Sequence, residues 1–153
     1  MIHVRKILYP TDFSSYSNQA YFHAVALAKT HGASLTVLFV YNADAPTPAH
    51  VGEARRYWQE QLEQIRPVDS GIPVRHVLLE GNPAQQIVQF GRNAGMDLIV
   101  MGTHGRTGLE RLLMGSVAEK VMRESACSVL VVKLPRAITV PEKSDVAFVA
   151  SPA

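Results

Sequence analysis

The chain has 153 residues, of which 47% are hydrophobic and 18% charged, and a formal net charge of +2; these values fit one globular domain with a single core. The basic residues are scattered along the chain, which argues against nucleic acid as the main partner, and no apolar run approaches the roughly 20 residues of a membrane helix. Because Cys127 is the only cysteine and no signal-peptide pattern is present, we expect a cytoplasmic protein with no disulfide and no membrane partner.

Hydrophobic periodicity predicts strands and helices that alternate along the chain. In chain order the predicted elements are a strand at 4–9, a helix at 14–31, a strand at 34–40, a helix at 51–65, a strand at 74–79, a helix at 83–94, a strand at 98–101, a helix at 116–125 and a strand at 128–133. Gly32 and Gly95 act as stop signals for the first and third helices, and Asn82 precedes Pro83 as an N-cap. In the remaining tail, an apolar run at 145–150 is compatible with an extra strand or a docked arm.

The strands are nearly continuous apolar runs separated by helices, a pattern typical of a parallel sheet covered on both faces. In such open α/β sheets, ligands bind beyond the carboxyl ends of the strands, at the point where the strand order reverses. Polar and glycine residues cluster after the first strand, at Thr11 and Asp12, and after the fourth strand, at residues 102–106. We therefore predict that the first and fourth strands are neighbours and that a ligand lies beyond them.

The segment from Gly102 to Ser116 joins the fourth strand to the fourth helix and contains the chemistry expected of a phosphate site. Glycines at 102, 105 and 115 permit positive φ and a close approach of backbone N–H groups to an anion, and the helix start adds unpaired donors. Arg106 adds a planar cation that binds phosphate oxygens. The chain contains neither the P-loop nor the dinucleotide fingerprint, so the prediction depends on this loop alone.

The glycines form a complete frame, Gly-x-x-Gly, nine residues, then Gly-Ser, in which Gly102, Gly105, Gly115 and Ser116 take part. Upstream, the sequence Ile-Leu-Tyr-Pro-Thr-Asp at 7–12 leads into a serine-rich helix start. In these two features the chain resembles the universal stress protein family, specifically its ATP-binding branch. The resemblance implies an α/β, adenine nucleotide hydrolase-like fold with an open five-stranded parallel sheet in the order 3-2-1-4-5 and helices on both faces. It also implies a family domain at 1–134, followed by a C-terminal tail at 135–153.

The resemblance further implies which residues hold the ATP. The nucleotide-binding residues that it implies are Pro10, Thr11, Asp12, Val40, Met101, Gly102, His104, Gly105, Arg106, Gly115, Ser116 and Val117. Among them, Val40 would meet the adenine through its backbone. Asp12 beside phosphates would be repulsive unless it binds a ribose hydroxyl or a divalent cation, so Mg²⁺ is a second candidate cofactor. The family resemblance also implies a homodimer formed through the fifth strand, whose apolar edge needs covering.

Several of these residues have a simpler interpretation. Ser116 and Glu119 match a capping box, and Asp12 is equally suited to turn the chain ahead of the first helix. Arg106 is compatible with a solvated surface arginine, and His104 with a loop side chain that has no essential role. Two further side chains are expected to be structural: Trp58, at helical spacing, as core or interface, and Cys127 as a small buried residue. The six histidines show no metal-ligand spacing, so we expect no zinc.

Three functions remain open. The first is an ATP-binding stress-response protein in which the nucleotide orders residues 102–116 and modulates interactions with protein partners of unknown identity. The second is a slow ATPase or phosphotransferase; only Asp12 and His104 are candidates for acid–base work, so we expect weak turnover at most and assign no catalytic residue. The third is an interaction module that binds no nucleotide, in which the glycine loop only connects two elements.

Overall fold

The computed structural model describes residues 3–42, 51–69, 71–103 and 114–133. Strands and helices alternate along these residues, as the periodicity predicts. The strands are β1 (Lys6–Pro10), β2 (Ser34–Tyr41), β3 (Val74–Glu80), β4 (Leu98–Gly102) and β5 (Ser128–Val132). The helices are α1 (Ser15–His31), α2 (Val51–Glu63), α3 (Pro83–Asn93) and α4 (Ser116–Glu124). Of the segment between β4 and α4, residues 104–113 lie outside the described residues. The predicted tail, residues 135–153, lies wholly outside them.

The five strands form one parallel sheet in the order β3-β2-β1-β4-β5, which confirms the expected α/β fold. The order reverses between β1 and β4, where Ile7 pairs with Leu98 and Leu8 with Ile99. The predicted contact between the first and fourth strands is therefore confirmed. Their carboxyl ends, at Pro10 and Gly102, lie side by side at one edge of the sheet.

The core has two layers because successive side chains of a strand point to opposite faces of the sheet. Ile7 and Tyr9 of β1 lie in one layer under α1 and α2, whereas Leu8 between them lies in the other layer under α3 and α4. All three side chains are almost completely buried. Helices therefore cover both faces, as a parallel sheet requires.

The helix ends follow the local signals in the sequence. The Ser14 hydroxyl accepts from the Ser17 N–H at 3.2 Å, and Gly32 ends α1 in the left-handed conformation at φ 63°. The Asn82 side chain accepts from the Gln85 N–H at 3.0 Å, with Pro83 at the first helical position. These caps fix where α1 and α3 leave the sheet. Within the described ranges, no helix is long and apolar enough to cross a membrane.

Candidate functional site

A pocket of about 420 Å³ lies at the carboxyl ends of the strands, where the strand order reverses. All the predicted site residues that the structure describes line it: Pro10, Thr11, Asp12, Val40, Met101, Gly102, Gly115, Ser116 and Val117. The other three predicted residues, His104, Gly105 and Arg106, lie outside the described residues. The sheet thus brings two distant parts of the chain, the turn after β1 and the start of α4, to one cavity.

The turn after β1 is held by its own side chains. The Asp12 Oδ1 atom accepts from the Ser14 N–H at 2.9 Å, and the Thr11 Oγ1 atom accepts from the Phe13 N–H at 3.0 Å. Asp12 therefore turns the chain ahead of α1, as the simpler interpretation expected, and it also lines the pocket.

Phe13 adopts the left-handed conformation, with φ 63°, which is rare for a bulky residue and typical of strained functional sites. Its ring packs against Trp58 of α2, with centroids 5.2 Å apart and an interplanar angle of 22°, and against Phe39 of β2 at 4.8 Å. Trp58 and Phe39 contact each other at 4.9 Å. The three rings form an aromatic cluster on the α2 side of the pocket.

Ten lining residues were not among the predicted site residues: Ser17, Leu38, Phe39, Tyr41, Asn42, Trp58, Pro83, Ile87, Thr103 and Ala118. Trp58 and Ser17 illustrate why the sequence did not indicate them. Trp58 packs against the core, as expected, but it also lines the pocket. Ser17 lines the pocket too, although it is only 5% exposed. The spacing of apolar residues in α2 indicated which face of the helix is inward, but not that this face lies over the end of β2. For Ser17, one turn into α1, the sequence contains no comparable signal.

The start of α4 forms the opposite side of the pocket. The Gly115 N–H donates to the Thr103 carbonyl oxygen at 2.6 Å, so the two ends of the intervening segment meet. Gly115 has φ −61° and ψ 155°, and Gly102, paired with Val132 at the end of β4, has no positive φ either. The expectation that these two glycines supply positive φ is therefore wrong. What the structure shows at Gly115 is a close backbone contact with Thr103.

The predicted capping box at Ser116 and Glu119 is also wrong. Gly115 is the N-cap, without a side-chain hydrogen bond to the helix, and Ser116 is the first helical residue. The Glu119 carboxylate instead accepts from Arg123 at 2.6 Å, one turn further along the exposed face. The pattern fails because the chain enters the helix one residue earlier than a serine cap requires.

The start of α4 has backbone donors that are not used within the helix. The first bond of the helix ladder runs from the Glu119 N–H to the Gly115 carbonyl oxygen at 3.0 Å. The N–H groups of Ser116, Val117 and Ala118 precede it, so they have no acceptor within the helix. All three residues line the pocket. Such a helix start attracts anions through its free donors and its dipole.

The charge distribution limits what else the pocket can hold. Asp12 is the one carboxylate among the described lining residues, and in the described part of the chain no three His, Cys, Asp or Glu side chains form a metal site. Among the described lining residues, a cation at Asp12 would therefore find no second carboxylate and no histidine. Cys127 is only half-buried, so the expectation of a buried residue is wrong. Its partial burial still raises the pKa of the thiol, which disfavours the reactive thiolate.

Fold and pocket together define the chain as an open parallel α/β protein with a ligand pocket at the switch point of its sheet. The family model described as the universal stress protein family matches residues 3–133, so this chain belongs to the universal stress protein family.

Individual relatives agree with the family assignment. The universal stress protein MJ0531 of Methanocaldococcus jannaschii is 39% identical over 142 residues, covering 86% of this chain and 84% of its own. The solved structure of the hypothetical protein MJ0577, from the same organism, is 30% identical and covers 90% of this chain and 100% of its own, with a TM-score of 0.76. A universal stress protein solved in complex with cAMP is 25% identical and covers 87% of this chain and 99% of its own, with a TM-score of 0.62.

Proposed function

We propose that this protein binds an adenine nucleotide, with ATP as the favoured ligand, and that it belongs to the ATP-binding branch of its family. The observation that carries the proposal is the helix start of α4, where Ser116, Val117 and Ala118 line the pocket and their N–H groups have no acceptor within the helix. Phosphate oxygens are suitable acceptors for such donors. A relative with the same fold was solved in complex with cAMP, an adenine nucleotide, which supports the class of ligand.

The pocket suits a nucleotide that lies across the switch point. Its lining includes Val40, near the end of β2, and the apolar residues Ile87 and Met101, which suit a base. Asp12, on the turn after β1, lines the same pocket, and a carboxylate there suits a ribose hydroxyl. His104, Gly105 and Arg106 are proposed to complete the phosphate contacts. Mg²⁺ would be held through phosphate and water, with Asp12 as its one candidate carboxylate.

We infer a regulatory function, in which nucleotide binding orders residues 102–116 and so changes the surface offered to protein partners. The two ends of that segment, Thr103 and Gly115, lie at the pocket, so a ligand there contacts both sides of it. Slow hydrolysis of ATP is less well supported, since the Asp12 carboxylate is already engaged with the Ser14 N–H and no second carboxylate and no histidine among the described residues lines the pocket. A module that binds no nucleotide would leave the donors of α4 without a ligand.

We further propose a cytoplasmic homodimer formed through β5, with residues 1–134 as the family domain and 135–153 as a tail that adds to the dimer contact. The position of β5 at the end of the sheet supports the proposal. An edge strand presents unpaired backbone groups that a second copy can cover.

Two substitutions at one position test the phosphate contact. In Ser116→Pro the first helical residue loses its N–H, while the helix tolerates proline at this place. The preceding residue, Gly115, already has the extended ψ of 155° that proline requires before it. We expect ATP binding, measured by titration calorimetry, to weaken by about tenfold or more, since charge-assisted hydrogen bonds contribute about 1.5–3 kcal/mol each.

The matched control is Ser116→Ala, which removes the hydroxyl and keeps the N–H. We expect it to weaken ATP binding by no more than about threefold, and both variants to melt within a few degrees of the wild type when no nucleotide is present. Equal affinities for ATP in Ser116→Pro and Ser116→Ala would show that this N–H does not hold phosphate. Absence of ATP binding to the wild-type protein at millimolar concentration would reject the proposed function as a whole.

A further inference from the structure

A second pocket, of about 220 Å³, lies at the opposite end of the sheet from the pocket described above. Its lining includes Lys6, Ser34 and Val74, which are the first residues of β1, β2 and β3. Ala94 and Met96, at the end of α3, also line it. A ligand in this second pocket would therefore not compete for the space at the carboxyl ends of the strands, and the proposed nucleotide binding does not use it.

Three polar side chains meet at the second pocket because they share one face of the sheet. Leu8 pairs with Thr36, and Thr36 pairs with Arg75; side chains at paired positions of neighbouring strands lie on the same face. Lys6 is two residues before Leu8 in β1, so its side chain has the same direction. Leu8 lies in the core layer under α3 and α4. Lys6, Thr36 and Arg75 therefore stand on the α3 side of the sheet, and all three line the second pocket.

Thr36 is the unusual member of this group. It interrupts the apolar run at 35–40 and is only 5% exposed, yet its hydroxyl has no hydrogen bond with any residue that the structure describes. The oxygen is not among the unpartnered atoms that protein fully encloses, so it is open to the cavity that Thr36 lines. Burying a hydroxyl without a partner costs free energy that a valine of the same shape would not cost. A ligand in the second pocket would supply the missing partner.

Two cations lie on the strands to either side of Thr36. The Lys6 Nζ atom donates to the Ala94 carbonyl oxygen at 3.1 Å, which holds the ammonium at the pocket and leaves further N–H donors unused. Arg75 is exposed and has no ion pair or hydrogen bond with any described residue. The described lining contains no carboxylate; the neighbouring Asp97 carboxylate accepts from the backbone N–H groups of Arg5 and Lys6 at 2.9 Å each. The described lining of the second pocket is therefore positively charged.

We propose that the second pocket binds a phosphate group, either as the free ion or as the phosphate of a small ester. A phosphate ester has three terminal acceptor oxygens, enough to accept from the Arg75 guanidinium, the Lys6 ammonium and the Thr36 hydroxyl together. A carboxylate has two oxygens, and a guanidinium fork occupies both of them. The volume of about 220 Å³ is several times the roughly 30 Å³ that a water molecule takes in the liquid. It is also smaller than the roughly 300–1,000 Å³ of sites for drug-sized ligands, so the ligand is small.

The test is an NMR titration, because it separates the second pocket from the start of α4, where phosphate contacts are also proposed. Inorganic phosphate, methyl phosphate and acetate are added separately to isotope-labelled protein, and sodium chloride at the same ionic strength is the reference. We expect the amide signals of Thr36, Arg75 and Met96 to shift saturably with phosphate, and acetate to bind about tenfold more weakly or worse. Methyl phosphate that binds as tightly as inorganic phosphate would indicate an ester as the ligand, and weaker binding would indicate the free ion.

Two substitutions each remove one contact. Thr36→Val keeps the shape and loses the hydroxyl, and Arg75→Gln loses the charge; we expect each to weaken phosphate binding at the second pocket by about tenfold. Arg5→Gln is the matched control for charge, because Arg5 is exposed at the same end of the sheet but does not line the pocket. It should bind phosphate within about twofold of the wild type, since charges outside the site are screened by salt. We also expect Thr36→Val to melt no lower than the wild type, because the hydroxyl that it removes has no described partner.

Amide shifts at Thr36 and Arg75 that do not saturate would overturn the proposal, and so would an unchanged affinity in Thr36→Val or Arg75→Gln. An equal loss of affinity in Arg5→Gln would reduce the effect to general charge attraction and overturn the site. A melting temperature of Thr36→Val clearly below that of the wild type would assign the hydroxyl to the fold and not to a ligand. Acetate that binds as tightly as phosphate would overturn the assignment to phosphate. Saturable shifts confined to residues 116–118 would overturn this proposal while supporting the phosphate contact at α4, so the two proposals fail independently.

Discussion

Phe13 shows how one residue at the site can be held in an unfavourable backbone conformation. A left-handed backbone costs a residue with a side chain about 1–2 kcal/mol, and Phe13 has φ 63°. Three contacts offset this cost: the bond from its N–H to Thr11 Oγ1, the neighbouring bond from Ser14 to Asp12, and the packing of its ring against Phe39 and Trp58. The ring therefore anchors the turn that presents Thr11 and Asp12 to the pocket.

Two substitutions of Phe13 separate the backbone strain from the ring contacts. Both Phe13→Ala and Phe13→Gly lose the ring and should lower the free energy of unfolding by roughly 1–3 kcal/mol for a half-buried aromatic residue. Glycine adopts positive φ without strain, so Phe13→Ala should be less stable than Phe13→Gly by about 1 kcal/mol. Urea unfolding followed by circular dichroism measures the difference. Should the alanine variant prove as stable as the glycine variant, the left-handed turn would not persist in solution.

Some residues of the candidate site and its helix caps can be predicted from the sequence, and others cannot. Thr11, Asp12 and the Asn82 cap stand at positions where local chemistry is enough, since turns and caps depend on residues a few places apart. The left-handed conformation of Phe13 and the inclusion of Ser17 and Trp58 in the pocket depend on packing between α1, α2 and β2. That packing joins residues distant in the chain, so no local pattern marks it.

At the scale of elements, β5 is one of the two outer strands of the sheet. Among the described strands, its one neighbour is β4. Leu130, in the middle of β5, is 37% exposed although it is apolar. Apolar edge strands without charges are prone to pair with another chain, which is the physical basis of the proposed dimer.

A charge placed on this edge should separate the proposed dimer. We expect light scattering at micromolar concentration to give the mass of two chains for the wild type, and Leu130→Lys to shift the equilibrium towards one chain by at least about tenfold, since a lysine on the edge opposes strand pairing. Val68→Lys is the matched control: Val68 is also exposed and apolar, but it precedes β3 at the opposite end of the sheet. A wild type that scatters as a single chain would contradict the dimer.

The boundaries of the helices and strands were predicted to within a few residues. The capping box at the start of α4 was predicted wrongly. Ser116 and Glu119 have the spacing of a capping box, yet Gly115 caps α4 and Glu119 pairs with Arg123. Two local interactions compete for the same glutamate, and the sequence alone does not say which one is formed. The contact between β1 and β4 was predicted from the residues themselves, because polar residues follow both strands and a ligand site at the switch point brings them together. The full strand order was implied by the family resemblance.

At the scale of the whole molecule, two tyrosines with raised pKa values make the free energy of unfolding depend on pH in the alkaline range. Burial raises the pKa of Tyr9 and of Tyr21 above the ordinary value of 10.0. The folded state therefore holds these protons more tightly than the unfolded state does. This contribution to stability is fully present below pH 10.0 and is lost as the pH rises through the folded-state pKa values.

We expect the free energy of unfolding to fall with increasing pH above about pH 10 and to fall less steeply in Tyr9→Phe, which has one buried phenol fewer. Urea unfolding at a series of pH values between 8 and about 11 measures the slope. Tyr57→Phe, which changes a tyrosine that is 52% exposed, serves as the control. A slope in Tyr9→Phe identical to that of the wild type would show that Tyr9 does not contribute.

The contact between Thr103 and Gly115 has a consequence for how this architecture can vary. A hydrogen bond of 2.6 Å joins the two residues, and Thr103 is itself tied to β5 by a bond from its N–H to the Val132 carbonyl oxygen at 3.1 Å. The two points of attachment are thus set by the sheet and not by the peptide that connects them. We therefore expect insertions or deletions between these two points to leave the strands and the start of α4 that line the cavity in place.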